Sequence, residues 1–160
     1  MTNRKFGLIV AVSAFAIDQI SKSIALASTS LQGGVEVYPI FNLVLVYNRG
    51  VSFGLFAGDA PWWILANIGL AMSAVLLVWM WREQGRLQVL ALGLLIGGAL
   101  ANVLDRFRHG AVIDFLDFHV AGYHWPAFNL ADVAVVSGAS ILVAATLLVQ
   151  GGPGPNAKDS

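Results

Sequence analysis

Residues 102–132 read NVLDRFRHGAVIDFLDFHVAGYHWPAFNLAD, an acid-bearing segment between two of the most apolar runs of the chain. The segment holds four of the nine acidic residues, Asp105, Asp114, Asp117 and Asp132. Acidic side chains at a membrane boundary are costly unless they are paired or face a polar cavity. We therefore expect the rest of the chain to be organised around a carboxylate site in this segment.

The motif Asn-x-x-Asp occurs twice in this segment, at Asn102/Asp105 and at Asn129/Asp132. On a helix, residues i and i+3 lie on one face, so each motif is expected to present an amide beside a carboxylate. Two helix ends that point these pairs at one space, with Asp114 on the connection between them, would form a carboxylate site.

The composition is that of an integral membrane protein. Hydrophobic residues make up 58% of the 160 residues and charged residues only 11%, whereas a soluble domain carries about 25% charged residues. The length allows a single domain, expected over residues 1–150, with a disordered cytoplasmic tail at 151–160. The net charge of zero excludes the basic footprint of a nucleic-acid-binding protein. The absence of cysteine excludes disulfides, cysteine–zinc sites and cysteine nucleophiles.

Four segments have the length and apolarity of transmembrane helices: roughly Phe6–Leu26, Trp62–Trp81, Leu87–Leu104 and about Pro126–Val149. A spanning helix needs about 20 apolar residues, and the second segment meets this with tryptophans at both ends, where interfacial belts lie. The third segment is rich in Gly and Ala, which favours close helix contact. We predict an all-α membrane protein with four transmembrane helices.

The first of these segments also resembles a secretory signal peptide, because Ala25-Leu-Ala27 follows the apolar run as a cleavage site would. Two charges, Asp18 and Lys22, lie between the apolar run and that site. They are spaced i,i+4 with the acid first, the better orientation for a helical ion pair. These features favour a retained helix.

Residues 28–60 differ from the apolar segments around them. Residues 35–47 are β-branched and aromatic, with glycines before them, Pro39 among them and Asn48-Arg49-Gly50 after them. This pattern predicts one or two short strands and a turn. We expect a small extramembrane β-sheet, a subdomain of about residues 28–60, that rests on the bilayer.

Four spanning helices place both termini on one side of the membrane. The positive-inside rule makes that side cytoplasmic, because it carries most of the basic residues that lie outside polar motifs: Arg4, Lys5, Arg82, Arg86 and Lys158. The sheet and the carboxylate site would then share the opposite, outward surface.

Five short motifs follow one another along the chain. They are Asp18-Gln19-x-x-Lys22, Asn48-x-Gly50-x-Ser52-Phe53, Asn102-x-x-Asp105-Arg106, Val112-Ile-Asp114-Phe115 and Phe128-Asn129-x-Ala131-Asp132. Together, in this order and with four helices, they resemble the lipoprotein signal peptidase (signal peptidase II) family of bacterial intramembrane aspartic proteases. Ala101 and Val133 depart from the family's pattern, but they bear only on local packing.

The resemblance implies that Asp114 and Asp132 are the catalytic pair of an aspartic endopeptidase. The implied substrate is a diacylglyceryl-modified prolipoprotein, cut on the N-terminal side of its lipidated cysteine, with Arg106 and Asn48 as substrate contacts. It further implies a multi-pass protein of the bacterial inner membrane with its active site near the periplasmic surface, under a periplasmic β cradle. Membrane lipids and globomycin-type inhibitors are expected partners, and no cofactor is expected.

The residues themselves are compatible with this chemistry. Two carboxylates that share one proton can activate water and protonate an amide, and neither is assigned a fixed role as acid or base. Asn102 and Asn129 are candidates to orient the carboxylates or the scissile backbone, while Asp18 and Lys22 are expected to form a structural ion pair beneath the site. Arg106 either pairs with the neighbouring Asp105 or contacts substrate.

Other functions receive less support. No metal site is expected, because the three histidines lie in an outward loop at no recognised ligand spacing, and Asp117 is interpreted as a solvated acid of that loop. A small proton-coupled transporter remains an alternative, since intramembrane acids also mark proton paths, although such proteins show repeat symmetry that this chain lacks. A non-catalytic four-helix assembly factor is a second alternative, and it would not require both Asp114 and Asp132.

Overall fold

The computed structural model describes residues 1–50 and 61–150 of the chain. The predictions made for Ser52 and Phe53, and for the tail at 151–160, lie outside the described residues.

In the described part of the chain, four helices are long and apolar enough to cross a membrane. They are α1 (Asn3–Ala27), α2 (Trp62–Arg82), α3 (Arg86–His109) and α4 (Leu130–Gln150). The four-helix prediction is confirmed. Helix α2 passes into α3 through the short connection 83–85, whereas strands lie between α1 and α2 and between α3 and α4.

Two helix boundaries differ from the prediction. Helix α3 continues beyond Leu104 to His109 and ends at Gly110, whose φ of 65° is the left-handed conformation that glycine adopts readily. Asp105 therefore lies inside the helix. Helix α4 begins at Leu130, four residues after the predicted start at Pro126, because the chain before it is extended and hydrogen-bonds to a strand.

Helix α3 is the centre of the bundle and packs against each of the other three helices. Its glycines allow this: a Cβ atom on Gly97 would collide with the carbonyl oxygen of Ala11 in α1, and one on Gly98 with that of Ala131 in α4. The small-residue face predicted for the third helix is therefore a contact surface on two sides. Small residues let helix backbones approach closely in the absence of a strong hydrophobic driving force.

The extramembrane part is a four-stranded antiparallel sheet in the order β1-β2-β3-β4. Its strands are β1 (Val35–Tyr38), β2 (Phe41–Asn48), β3 (Val112–Val120) and β4 (Tyr123–His124). The first two lie where the sequence predicts strands. The third and fourth replace the predicted outward loop, since the β-branched and aromatic run of β3 pairs with β2 along most of its length.

The sheet is anchored to the helix ends by a small apolar cluster. Ala25 at the end of α1, Leu31 in a 3₁₀ turn at Thr29–Gln32, and Phe115 on β3 are all buried in it. The first four residues of β3 are buried, whereas its end is exposed. The strand therefore enters the sheet from the interior of the protein, and its early residues are held at the ends of the helices.

Candidate active site

The carboxylates of Asp114 and Asp132 are linked at this junction through two asparagines. Asn129 donates from Nδ2 to Asp114 Oδ1 at 2.6 Å, and Asn102 donates from Nδ2 to Asp132 Oδ1 at 2.9 Å. The asparagines also contact each other, since Asn129 Nδ2 lies 3.3 Å from Asn102 Oδ1. One continuous network thus connects α3, β3 and the start of α4.

The second Asn-x-x-Asp motif forms the N-terminus of α4. Asn129 Oδ1 accepts from the backbone N–H of Asp132 at 2.9 Å, and Asp132 Oδ2 lies 3.4 Å from the backbone N–H of Asn129. This is a reciprocal capping arrangement, in which each side chain satisfies a backbone donor that the helix leaves free. The expectation that both motifs lie inside helices is wrong for this one, and the cap explains why α4 starts at Leu130.

Asn48, at the end of β2, completes the surroundings of Asp114. Its Nδ2 donates to Asp114 Oδ2 at 2.9 Å, while its Oδ1 accepts from the backbone N–H of Gly50 at 3.1 Å. Each oxygen of Asp114 therefore accepts from a different asparagine, one at the end of β2 and one immediately before α4. Only 1% of Asp114 is exposed, so its carboxyl group has a fixed orientation.

The environment of Asp114 favours its neutral form. The pKa of this carboxyl group is raised to about 7, chiefly by burial and also by the charge of Asp132, against the opposing effect of the hydrogen bonds from Asn48 and Asn129. A carboxyl group that keeps its proton near neutral pH, beside a second carboxylate, is what a shared-proton pair requires.

Lys22 lies beneath these carboxylates and makes three short contacts. Its Nζ is 2.8 Å from Asp18 Oδ2, 2.7 Å from Asp105 Oδ2 and 2.9 Å from Asn102 Oδ1. The predicted pair of Asp18 and Lys22 is present, but one cation serves two buried carboxylates. Asn102 accepts from Lys22 and donates to Asp132, so it links this cluster to the candidate pair.

The two carboxylates of this cluster also hold the backbone. Asp18 Oδ1 accepts from the N–H of Ala131 at 2.8 Å, and Asp105 Oδ2 accepts from the N–H of Ile113 at 3.2 Å. Gln19 adds a third donor, from Nε2 to Asp105 Oδ1 at 2.8 Å. No role for Gln19 is predicted from the sequence, although its place beside Asp18 in the first motif is a signal that could have assigned one.

In the described part of the chain, Arg106 forms no salt bridge with Asp105. Its guanidinium donates to two carbonyl oxygens, to that of Asn102 at 3.2 Å and to that of Gly50 at 3.3 Å. The side chain is half-buried. It therefore connects α3 to the chain that leaves β2.

A cavity of about 330 Å³ opens beside Asp132. Its lining is almost entirely apolar and comes from the segment before α4 and from the outer face of α4: Trp125, Pro126, Ala127, Phe128, Asp132, Val133, Val136 and Ser137. An apolar cavity with a single carboxylate at its edge can accept an apolar chain and present it to that carboxylate.

Asp117 is not the solvated loop acid that the sequence suggests. It is buried on β3 and accepts from Asn42 Nδ2 at 3.0 Å and from His124 Nδ1 at 2.9 Å. Burial alone would raise the pKa of Asp117, but the hydrogen bonds from His124 and Asn42 hold it below its usual value. In residues 1–50 and 61–150, no group of three or more His, Cys, Asp or Glu residues is placed to hold a metal ion.

Comparisons with known proteins agree on one family. A family model described as Signal peptidase (SPase) II matches residues 10–148. A lipoprotein signal peptidase of Nitrobacter hamburgensis is 46% identical over 153 residues, covering 89% of this chain and 92% of the relative. One of Paraburkholderia phymatum is 47% identical over 139 residues, covering 84% and 82%. A solved bacterial membrane enzyme superposes with a TM-score of 0.83 at 26% identity, covering 95% of this chain and 93% of the other.

Proposed function

Since the chain belongs to the signal peptidase II family, we propose that Asp114 and Asp132 are the catalytic pair with which it removes signal peptides from prolipoproteins. The observation that carries this proposal is the network of Asn48, Asn102 and Asn129, which holds the two carboxyl groups together at the helix ends. The family assignment removes the support for a proton-coupled transporter.

The proposed reaction is aspartic hydrolysis. The ionised carboxylate of the pair takes a proton from a water molecule, whose oxygen attacks the carbonyl carbon of the scissile bond. The protonated carboxyl group donates its proton to the substrate, and collapse of the tetrahedral adduct breaks the C–N bond with a proton delivered to the leaving amine. The apparent pKa values belong to the pair, so neither residue is assigned a fixed role.

The substrate would be a diacylglyceryl-modified prolipoprotein, cut on the N-terminal side of its lipidated cysteine. The apolar cavity beside Asp132 supports this, because it could hold the apolar residues or the lipid next to the bond to be cleaved. Arg106 and Asn48 lie where they could contact the substrate backbone, at the point where β2 ends above the pair. Globomycin-type inhibitors would occupy the same space.

The protein is a multi-pass protein of the bacterial inner membrane, and we place both termini in the cytoplasm and the pair near the periplasmic surface. The basic residues at the start of α1, the end of α2 and the start of α3 support this orientation. A reporter that is active only after export should be inactive when fused at Gln84 and active when fused at Gly122. The reverse pattern would contradict the proposed orientation and would leave the catalytic proposal unaffected.

The catalytic proposal is tested with Asp114→Asn and Asp132→Asn, measured on a diacylated prolipoprotein with purified protein in detergent. Asparagine preserves size but cannot ionise, so each variant should fold and lose at least about 100-fold of the cleavage rate. Asp117→Asn, the same change on the same strand, is the matched control and should keep most of the activity. Substantial turnover by either of the first two variants would exclude the aspartic mechanism. Wild-type cleavage should be blocked by globomycin and not by pepstatin.

A further inference from the structure

The end of the bundle opposite the sheet carries a concentration of positive charge. Arg4, Lys5, Arg82 and Arg86 lie at the start of α1, the end of α2 and the start of α3, against a single acidic residue of the same region, Glu83. Within the described residues none of these four cations forms an ion pair. Glu83 is used locally, since its Oε1 accepts from the backbone N–H groups that follow it.

Two of the four cations are held by specific contacts. Arg4 donates from Nε to the carbonyl oxygen of Trp81 at 3.2 Å, which satisfies an acceptor at the C-terminus of α2. The guanidinium of Arg86 lies 4.8 Å from the ring centroid of Phe6, a cation–π distance. These contacts fix the start of α1 against the connection between α2 and α3, so the charged surface has a defined shape.

A groove runs between α1 and α2 below this surface, with a volume of about 430 Å³. Two kinds of side chain line it: Arg4 and Arg82 lie at the helix ends, and the apolar side chains of Leu77, Val78 and Trp81 line the rest. A helix cap explains the Nε contact of Arg4, and the positive-inside rule explains the excess of basic residues. Neither explains why two arginines should flank an apolar groove.

We propose that this groove binds an anionic phospholipid, with its phosphate group between Arg4 and Arg82 and an acyl chain along Leu77 and Val78. Arginine is suited to this contact because its planar guanidinium matches phosphate oxygens and it cannot lose its charge. Trp81 lies at the depth where tryptophan contacts the headgroup region. A zwitterionic lipid lacks the net charge, and free phosphate cannot use the apolar wall. This inference does not depend on the proposed catalysis, which lies at the other end of the helices.

The test uses native mass spectrometry of the purified full-length protein in detergent, with added dioleoyl phosphatidylglycerol, phosphatidylethanolamine or phosphatidylcholine. The wild type should retain phosphatidylglycerol in preference to the other two. Arg82→Gln should weaken this retention about fivefold, and Arg4→Gln/Arg82→Gln by about the square of that factor, since each arginine near a lipid surface contributes about 1 kcal/mol. Lys5→Gln removes one charge of the same surface, as Arg82→Gln does, but from a side chain that does not line the groove, and it should alter retention less than about twofold.

Each other outcome overturns the proposal. Equal loss in Arg82→Gln and Lys5→Gln would mean diffuse attraction, and equal retention of phosphatidylcholine would mean an apolar groove without a headgroup site. Competition by millimolar inorganic phosphate would mean a simple anion site. Because Arg4 also caps α2, replacing it affects the fold as well as the proposed lipid contact. Arg4→Lys keeps the charge, and the thermal unfolding midpoint of each variant shows whether the protein remains folded. Arg82→Gln, whose side chain makes no hydrogen bond to another described residue, is the variant least able to disturb the fold.

Discussion

Lys22 is the residue whose removal should cost the fold most, because a single buried ammonium group neutralises two buried carboxylates. Only 2% of Lys22 is exposed, and its Nζ lies within 2.8 Å of both Asp18 and Asp105. In Lys22→Met the hydrophobic stem is preserved, whereas both carboxylates lose their cation.

The size of the effect can be bounded from this geometry. Breaking one buried ion pair costs roughly 3–5 kcal/mol. Neutralising a carboxylate by protonation at pH 7 costs about 4 kcal/mol, which sets a ceiling of about 8 kcal/mol for the two. Since a protein of this kind is stable by only about 5–15 kcal/mol, we expect Lys22→Met to accumulate poorly as folded protein. Asp18→Asn leaves the contact between Lys22 and Asp105 intact and should cost only about 1.5–3 kcal/mol.

Combined variants distinguish a shared cation from a simple pair. Lys22→Met/Asp18→Asn still leaves Asp105 without a cation, so it should recover only about half of the loss. The triple variant, which also carries Asp105→Asn, should recover most of the remaining stability. The free energy of unfolding is measured by denaturant titration in mixed detergent micelles, together with the yield of monodisperse protein. If Lys22→Met is no less stable than Asp18→Asn, or if the triple variant recovers nothing, the shared-cation interpretation is wrong.

Two further predictions concern the candidate pair. Burial raises the pKa of Asp114 to about 7, so the pair keeps its shared proton at neutral pH and kcat/KM should fall as the pH rises through about 7; a profile that stays flat well above that pH would contradict the assignment. Asn129→Ser keeps a residue that caps α4 but removes the amide that donates to Asp114. Stability should fall by about 1–3 kcal/mol, because the buried acceptors on Asp114 and Asn102 lose their donor, while cleavage falls about 10- to 100-fold. Wild-type cleavage by Asn129→Ser, with a loss only in Asn129→Ala, would mean that only the cap matters.

The features that the sequence predicts correctly are those with a local signal. The spanning helices follow from the length and apolarity of each segment, and β1 and β2 from a β-branched run bounded by glycines and Asn48. The pair of Asp18 and Lys22 follows from i,i+4 spacing on one helix. Each of these needs only a window of neighbouring residues.

The features that the sequence does not predict depend on contacts between distant segments. Strand β3 exists because β2 lies beside it, and Asn48 in β2 is opposite Val112. The second partner of Lys22, Asp105, is defined only when α1 packs on α3. The start of α4 was missed for a different reason: Pro126 is a good helix-start signal, but Asn129 and Asp132 form a stronger one three residues later.

The hydrogen bond from Ala131 to Asp18 has a consequence for biosynthesis. It ties the first turn of the last helix to a carboxylate of the first helix, 113 positions away. Insertion of α1, α2 and α3 alone cannot assemble the candidate pair, since Asp132 enters the membrane last and is held in place by a residue that entered first. We therefore expect a nascent or truncated chain to be inert, and cleavage to begin only when synthesis of the whole bundle is complete.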